Sequence, residues 1–132
     1  LVKRFTSKEE RRRIVACIYD ENRIHSDEVG FENHLNYFHT YGHGISMPFA
    51  KGLAAFLNST VTDIYFRQFS GHTQVNATDL RALRYPSRNS LEQLGRKVLD
   101  EMNQTDLDLL VEKEIFYLLD KKTGNLLKPE KL

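Results

Sequence analysis

Apolar and polar residues alternate in short runs through the first third of the chain and recur at helical spacing afterwards. Leu1-Val2-Lys3-Arg4-Phe5-Thr6 and Arg12-Arg13-Ile14-Val15-Ala16-Cys17-Ile18-Tyr19 read as two β-strands around the charged turn Ser7-Lys8-Glu9-Glu10. After a polar loop over residues 20–30, His34-Leu35-Asn36-Tyr37-Phe38-His39 reads as a third strand, and Tyr41-Gly42-His43-Gly44 as a loop with two glycines. From Ser46 the period changes. Ser46 caps a helix with Pro48 in its first turn and Phe49, Leu53, Phe56 and Leu57 on one face. Thr60 and Asp63 are spaced as a capping box ahead of the stripe Val61, Ile64, Tyr65 and Phe69. Asn76 and Asp79 repeat that spacing before Leu80 and Leu83, and Tyr85-Pro86 forces an extended exit, because proline disfavours helix in the residue before it. Two helices close the pattern. Asn89 with Glu92 caps one over Leu91, Leu94, Val98 and Met102; Thr105 with Asp108 caps the other over Leu107, Leu110, Val111, Ile115 and Leu118, ending at Lys121-Lys122 and Gly124.

The predicted fold class is therefore α+β: short N-terminal strands, a helical middle and two C-terminal helices. One domain is expected over 1–132, with a strand and loop part (1–45), helices and a loop (46–88), a helix pair (89–125) and a tail (126–132). The 132 residues, 40% of them hydrophobic, suffice for one core burying about two-thirds of the unfolded chain's surface. Lys and Arg number 19 against 18 Asp and Glu, so the chain is neither an acidic tail nor a histone-like polycation. A single cysteine excludes an internal disulfide; within Ile14-Val15-Ala16-Cys17-Ile18 it is expected as a small buried hydrophobe, in a reducing, cytoplasmic setting. No apolar run approaches the ~20 residues that span a bilayer, so no membrane partner is expected. The opening Leu-Val-Lys-Arg-Phe has neither an initiator Met nor a signal-peptide pattern, and the chain is expected to be cut from something longer.

The chemistry is marked by what is missing. There is no GxGxxG, Walker loop, HExxH, CxxC pair or GxSxG, and all three prolines stand singly. His34, His39 and His43 are spaced by five and four residues, with neither a cysteine nor a helix-face pattern to make them metal ligands. Neither a metal nor any other cofactor is expected in this chain, and no catalytic residue is assigned. A hydrolase would need a cleft in which a histidine and a carboxylate converge.

Charge is uneven. Residues 1–88 carry 12 Lys/Arg and 9 Asp/Glu, a formal +3, and residues 89–132 carry 7 and 9, a formal −2. Arg11-Arg12-Arg13, Arg67, Arg81, Arg84 and Arg88 all fall in the first part, and arginine suits bidentate contacts to phosphate and guanine. In Arg11-Arg12-Arg13 a strand would turn at least one side chain to the opposite face from its neighbours. The densest polar stretch runs from Arg67 through Gln68, Ser70, Gly71, His72, Thr73, Gln74, Asn76 and Thr78 to Asp79. Gln and Asn pair with adenine, and His, Thr and Ser bind phosphate or base edges. The same Asn76 and Thr78 also suit a helix cap, and Gly71 a turn.

Three runs carry a resemblance: Gly52-Leu53-Ala54-Ala55-Phe56-Leu57-Asn58-Ser59-Thr60; Asp63-Ile64-Tyr65-Phe66-Arg67; and Ser70-Gly71-His72-Thr73-Gln74-Val75-Asn76-Ala77-Thr78-Asp79-Leu80-Arg81, closed by Tyr85-Pro86-Ser87. Together they resemble the C-terminal target-recognition region of type II adenine-specific DNA methyltransferases of restriction–modification systems, including forms fused to a nuclease. The order of motifs is also similar to target-recognition domains of type I specificity subunits. The likeness is dense from about residue 37 to 94. It implies an α+β unit that reads base edges in double-stranded DNA while a separate domain, absent from this sequence, holds S-adenosylmethionine and methylates adenine N6. The partners so implied are duplex DNA, that methyltransferase domain and, in fused enzymes, a nuclease domain. On this reading His43, Gln74 and Asn76 are candidates for base contacts, and Arg11, Arg67, His72, Thr73, Arg81 and Arg84 for phosphate contacts. Asn58 and Asp79 are expected to be structural. The alternative is a non-catalytic scaffold that packs its C-terminal helices against the catalytic domain or a partner subunit.

Overall fold

The structure, a computed structural model, describes residues 1–116. Its first six residues are extended and hydrogen-bonded on both edges. On one edge β1 (Val2–Lys3) pairs antiparallel with β2 (Leu35–Asn36) in the register Val2↔Asn36 and Lys3↔Leu35. Further along that edge Arg4 N donates to His34 O at 2.9 Å, Val75 N donates to Arg4 O at 2.6 Å, and Thr6 N donates to Thr73 O at 3.2 Å. On the other edge Lys3 N donates to Val15 O and Cys17 N to Leu1 O, both at 2.9 Å. The three expected strand segments do meet, but as a two-residue ladder and isolated bridges. The regular pairing is short because the first segment changes partner along its length, from residues 34–36 to residues 73–75. Cys17 corrects an expectation: it is exposed, since extended backbone puts Ile14 inside and the outward positions of the same run at the surface.

Five helices follow among the described residues, so the architecture is α+β: α1 (Met47–Leu57), α2 (Thr60–Phe69), α3 (Ala77–Ala82), α4 (Arg88–Gly95) and α5 (Gln104–Val111). A π-helical turn, Glu112–Phe116, continues α5 and buries Ile115 beside Val111. The predicted Leu118, Lys121, Lys122 and Gly124 lie outside the described residues. Ser46 stands at the α1 N-cap with Pro48 in the first turn, as expected. At α3 the Asp79 carboxylate accepts from Asn76 N at 3.0 Å, which closes the expected cap. Three other caps differ. Ser59, not Thr60, caps α2; Ser87, not Asn89, caps α4; Asn103, not Thr105, caps α5. In each case the observed cap has extended backbone while the expected residue already lies within the helix, so its side chain is free for other work. Thr60 and Asp108 show the consequence. Thr60 N and Oγ1 donate to the Asp108 carboxylate at 2.7 and 2.5 Å, and this bond joins the start of α2 to α5. Asn58, expected to be structural, clamps Ala16: its Oδ1 accepts from Ala16 N and its Nδ2 donates to Ala16 O, both at 2.8 Å.

Helices α1 and α4 cross at backbone contact. A Cβ on Gly52 would lie 1.7 Å from the Leu91 carbonyl oxygen, and one on Gly95 would lie 1.8 Å from that of Pro48. Leu53, Phe56 and Leu57 of α1 and Leu91 and Leu94 of α4 are buried around this crossing, in one cluster with Val2, Ile14 and Phe66. Tyr85 seals another side of the cluster, with its ring near Phe38 and Phe56 and its hydroxyl donating to Leu80 O at 2.7 Å.

Gly52→Ala and Gly95→Ala will each separate the two helices and lower stability by about 3 kcal/mol, measured by urea unfolding. A second expectation concerns alkaline pH. Burial pushes the Tyr85 phenol up to about 12 from the ordinary 10.0 of a phenol. The folded chain thus keeps a proton that the unfolded chain releases between those values. This contribution is intact below pH 10 and is lost as pH rises through about 12. Equilibrium unfolding of Tyr85→Phe will lack this alkaline loss.

Candidate nucleic-acid interface

Of the polar stretch Arg67 to Asp79, the ends lie in α2 and α3 and residues 70–76 form a loop between them whose backbone is tied inward. Its anchor is Arg13, a side chain with 0% exposure. The Arg13 guanidinium donates to the carbonyls of Ser70 (3.4 Å) and His72 and to Thr6 Oγ1 (3.2 Å), and lies 5.6 Å from the centre of the Phe66 ring. Arg13 N donates to Asp63 Oδ1 at 2.7 Å. Beyond His72 the loop is held by the backbone bonds from Thr6 and Val75 described above and by Asn36 Nδ2, which donates to Val75 O at 2.8 Å. Burying a guanidinium is costly unless its nitrogens find acceptors, and here all three do, in the Thr6 hydroxyl and two of the loop's own carbonyls. With carbonyls turned in, His72 and Thr73 are exposed and Gln74 and Asn76 half-buried at the surface.

The residues proposed from the sequence fall into three groups. His72, Thr73, Gln74 and Asn76 are brought together on the loop, and Asn76 is also the N-cap of α3. Arg11, Arg81 and Arg84 are exposed and, among the described residues, pair with no carboxylate. Arg67 is engaged within the chain: Nε donates to Asp63 Oδ2 at 2.7 Å, and Nη1 and Nη2 donate to Lys8 O and Glu10 O, each at 2.8 Å. It fixes the charged turn to α2. His43 stands apart. It pairs with Thr40 through both backbone bonds, at 2.8 and 2.9 Å, and lines a groove of about 740 Å³ to which no residue of the 70–76 loop contributes. Among the described residues no group of three or more His, Cys, Asp and Glu is placed to hold a metal ion. No helix among them is long and apolar enough to cross a membrane.

Two loop neighbours escaped the sequence reading. Arg4 donates to Gln74 Oε1 at 3.5 Å and to Asn33 O at 3.1 Å, and its guanidinium stands 5.8 Å from the Phe5 ring, itself edge-on to His34 at 4.9 Å. The signal for these was present only as alternation in the first strand. Arg13 was likewise one of three consecutive arginines, and alternation alone left open which of them turned inward.

Comparison with known proteins agrees with the geometry at a coarse level. Over 116 residues the chain is 53% identical to the type II methyltransferase M.PstI of Providencia stuartii, a match covering 87% of this chain and 23% of that protein. Over 115 residues it is 50% identical to the type II methyltransferase M.BsuBI of Bacillus subtilis, covering 85% and 23%. The chain is thus homologous to a segment of type II methyltransferases and spans about a quarter of the length of these relatives. No family model matches it, and no solved structure matches it.

Removing the Arg13 guanidinium leaves buried carbonyls without donors. Arg13→Met is expected to cost about 3–5 kcal/mol by urea unfolding. Arg13→Lys, which keeps the charge without the fork, is expected to retain the fold while speeding hydrogen exchange at Val75 N–H relative to the helix amides.

Proposed function

We propose that this chain is a DNA target-recognition unit of a restriction–modification methyltransferase: it binds duplex DNA and selects the site at which a separate S-adenosylmethionine-dependent domain methylates adenine N6, in the cytoplasm. The observation that supports it best is the 70–76 loop, a fixed backbone with His72 and Thr73 exposed and Gln74 half-buried beside Arg4, in a chain homologous to type II methyltransferases. An amide such as Gln74 can both accept from and donate to the adenine edge, which gives discrimination worth about 1–3 kcal/mol per bidentate pair. Arg11, Arg81 and Arg84 supply charge for phosphates and so fix register without reading sequence. Asn76 splits between capping α3 and facing the groove. Arg67, with its guanidinium engaged by Asp63 and two carbonyls, serves the site by holding residues 8–10. The chain has no glycine-rich loop to hold S-adenosylmethionine, so the methyl transfer belongs to another part of the enzyme.

Fluorescence anisotropy with duplex DNA from low to physiological salt tests this reading. Affinity is expected to fall steeply with salt, each phosphate contact adding about −0.9 to the log–log slope, from a Kd near ~10⁻⁴–10⁻⁶ M for random sequence. Arg81→Ala with Arg84→Ala will weaken binding to all sequences and flatten the slope by about 1.8, whereas Gln74→Ala will relax a preference between sequences by about 1–3 kcal/mol. Absence of binding at low salt overturns the proposal for the isolated chain.

A further inference from the structure

The groove that holds His43 lies beside the chain's most acidic segment, in contrast to the basic remainder of residues 1–88. Residues 20–32 carry five carboxylates against Arg23 alone, a formal −4, while the rest of residues 1–88 carries eleven Lys/Arg against four Asp/Glu, a formal +7. Glu21 and Asp20, the latter 3.5 Å from Arg23 Nε, line the groove, and among the described residues no lysine or arginine does. Along it runs a ladder of rings: Tyr19 to Phe31 at 5.7 Å, Phe31 to Tyr37 at 6.0 Å and Tyr37 to His39 at 5.2 Å, with Phe31 and Tyr37 exposed. Beside it the chain makes a two-residue hairpin closed by Thr40 and His43. Both turn residues have positive φ, 49° at Tyr41 and 80° at Gly42. That geometry suits Asn-Gly and strains a tyrosine, yet the ring stands 96% exposed at the tip.

We propose that this groove and the Tyr41 hairpin form a protein-docking face, and that its occupant is the part of a type II methyltransferase polypeptide that this chain does not span. This rests on reading the chain as the recognition unit of such an enzyme. Carboxylates at the groove repel a phosphate backbone, whereas tyrosine and phenylalanine faces beside them attract arginine or lysine carried on an apolar segment. A projecting tyrosine over a ring-lined groove is the composition of an interface anchor. The matching segment is 23% of M.PstI, so in that enzyme the larger part of the polypeptide is tethered to it at high effective concentration, and a face of modest area is enough. The two faces then divide the work: the polar loop with Arg11, Arg81 and Arg84 to DNA, the acidic aromatic groove to protein.

Cys17, exposed and lining the groove, is the chain's one thiol and a native reporter. This chain is grafted in place of the matching segment of M.PstI, and alkylation of Cys17 by N-ethylmaleimide is followed by mass spectrometry in the graft and in the isolated chain. The rate is expected to fall about tenfold in the graft, as for a site that reacts only on opening. Tyr41→Asp with Glu21→Arg is expected to restore it while leaving thermal unfolding of the isolated chain unchanged. Equal rates in graft and isolated chain overturn the proposal. So does slowing in the isolated chain that grows with its own concentration, which makes the occupant a second copy, or slowing on addition of duplex DNA. Should the graft not fold, amide exchange in intact M.PstI against its excised segment gives the same decision: the hairpin amides matching Thr40 and His43 slow about tenfold when covered, and equal exchange overturns the proposal. Failure of the DNA-binding test would leave these rates untouched, so the two readings fail separately.

Discussion

A guanidinium without exposed surface, that of Arg13, binds together the parts of this chain that carry its surface chemistry. Its donors reach Thr6 in the first extended segment and the carbonyls of Ser70 and His72 in the polar loop, and its face meets Phe66 of α2. Burying that charge is unfavourable until these partners are in place, so it couples the first segment, the loop and α2. Asp63 completes the arrangement by accepting from Arg13 N and pairing with Arg67, which in turn holds the carbonyls of Lys8 and Glu10. The core therefore contains a polar network that sets the loop backbone within hydrogen-bond tolerance while leaving the His72 and Thr73 side chains exposed.

The helices serve the same end from behind. Close crossing of α1 and α4 at Gly52 and Gly95 lets Leu53, Leu57, Leu91 and Leu94 fill one cluster, on which α2 and the extended segments rest. Asp108 and Asn58 tie this scaffold laterally, one from α5 to α2 and the other from the α1–α2 junction to Ala16. Asn58 shows that the block carrying the resemblance includes residues engaged in holding the fold.

Much of the helix content was legible in the sequence because a 3.6-residue apolar period survives whatever packs against it. The faces over Leu53, Phe56 and Leu57 and over Leu91 and Leu94 are buried as expected. Cap positions were less legible. Asn89 with Glu92 and Thr105 with Asp108 have capping-box spacing, but a cap is decided by which residue has extended backbone, and those were Ser87 and Asn103. Cys17 was misplaced for a related reason: an apolar run in a two-sided strand contains outward positions that hydrophobicity alone does not mark.

By itself the sequence determined the fold class, the three N-terminal segments that meet, and the position of the polar loop between two helices. These follow from local periodicity and composition, which each segment carries alone. The tertiary structure decided which arginine is an anchor and which are free: Arg13 and Arg67 turn inward to carbonyls and a carboxylate, while Arg11, Arg81 and Arg84 face outward. It also separated His43 from the loop and set it, with Tyr41, beside an acidic aromatic groove. Those distinctions depend on contacts between residues up to 59 positions apart, as between Arg13 and His72, and no local pattern encodes a partner at that distance.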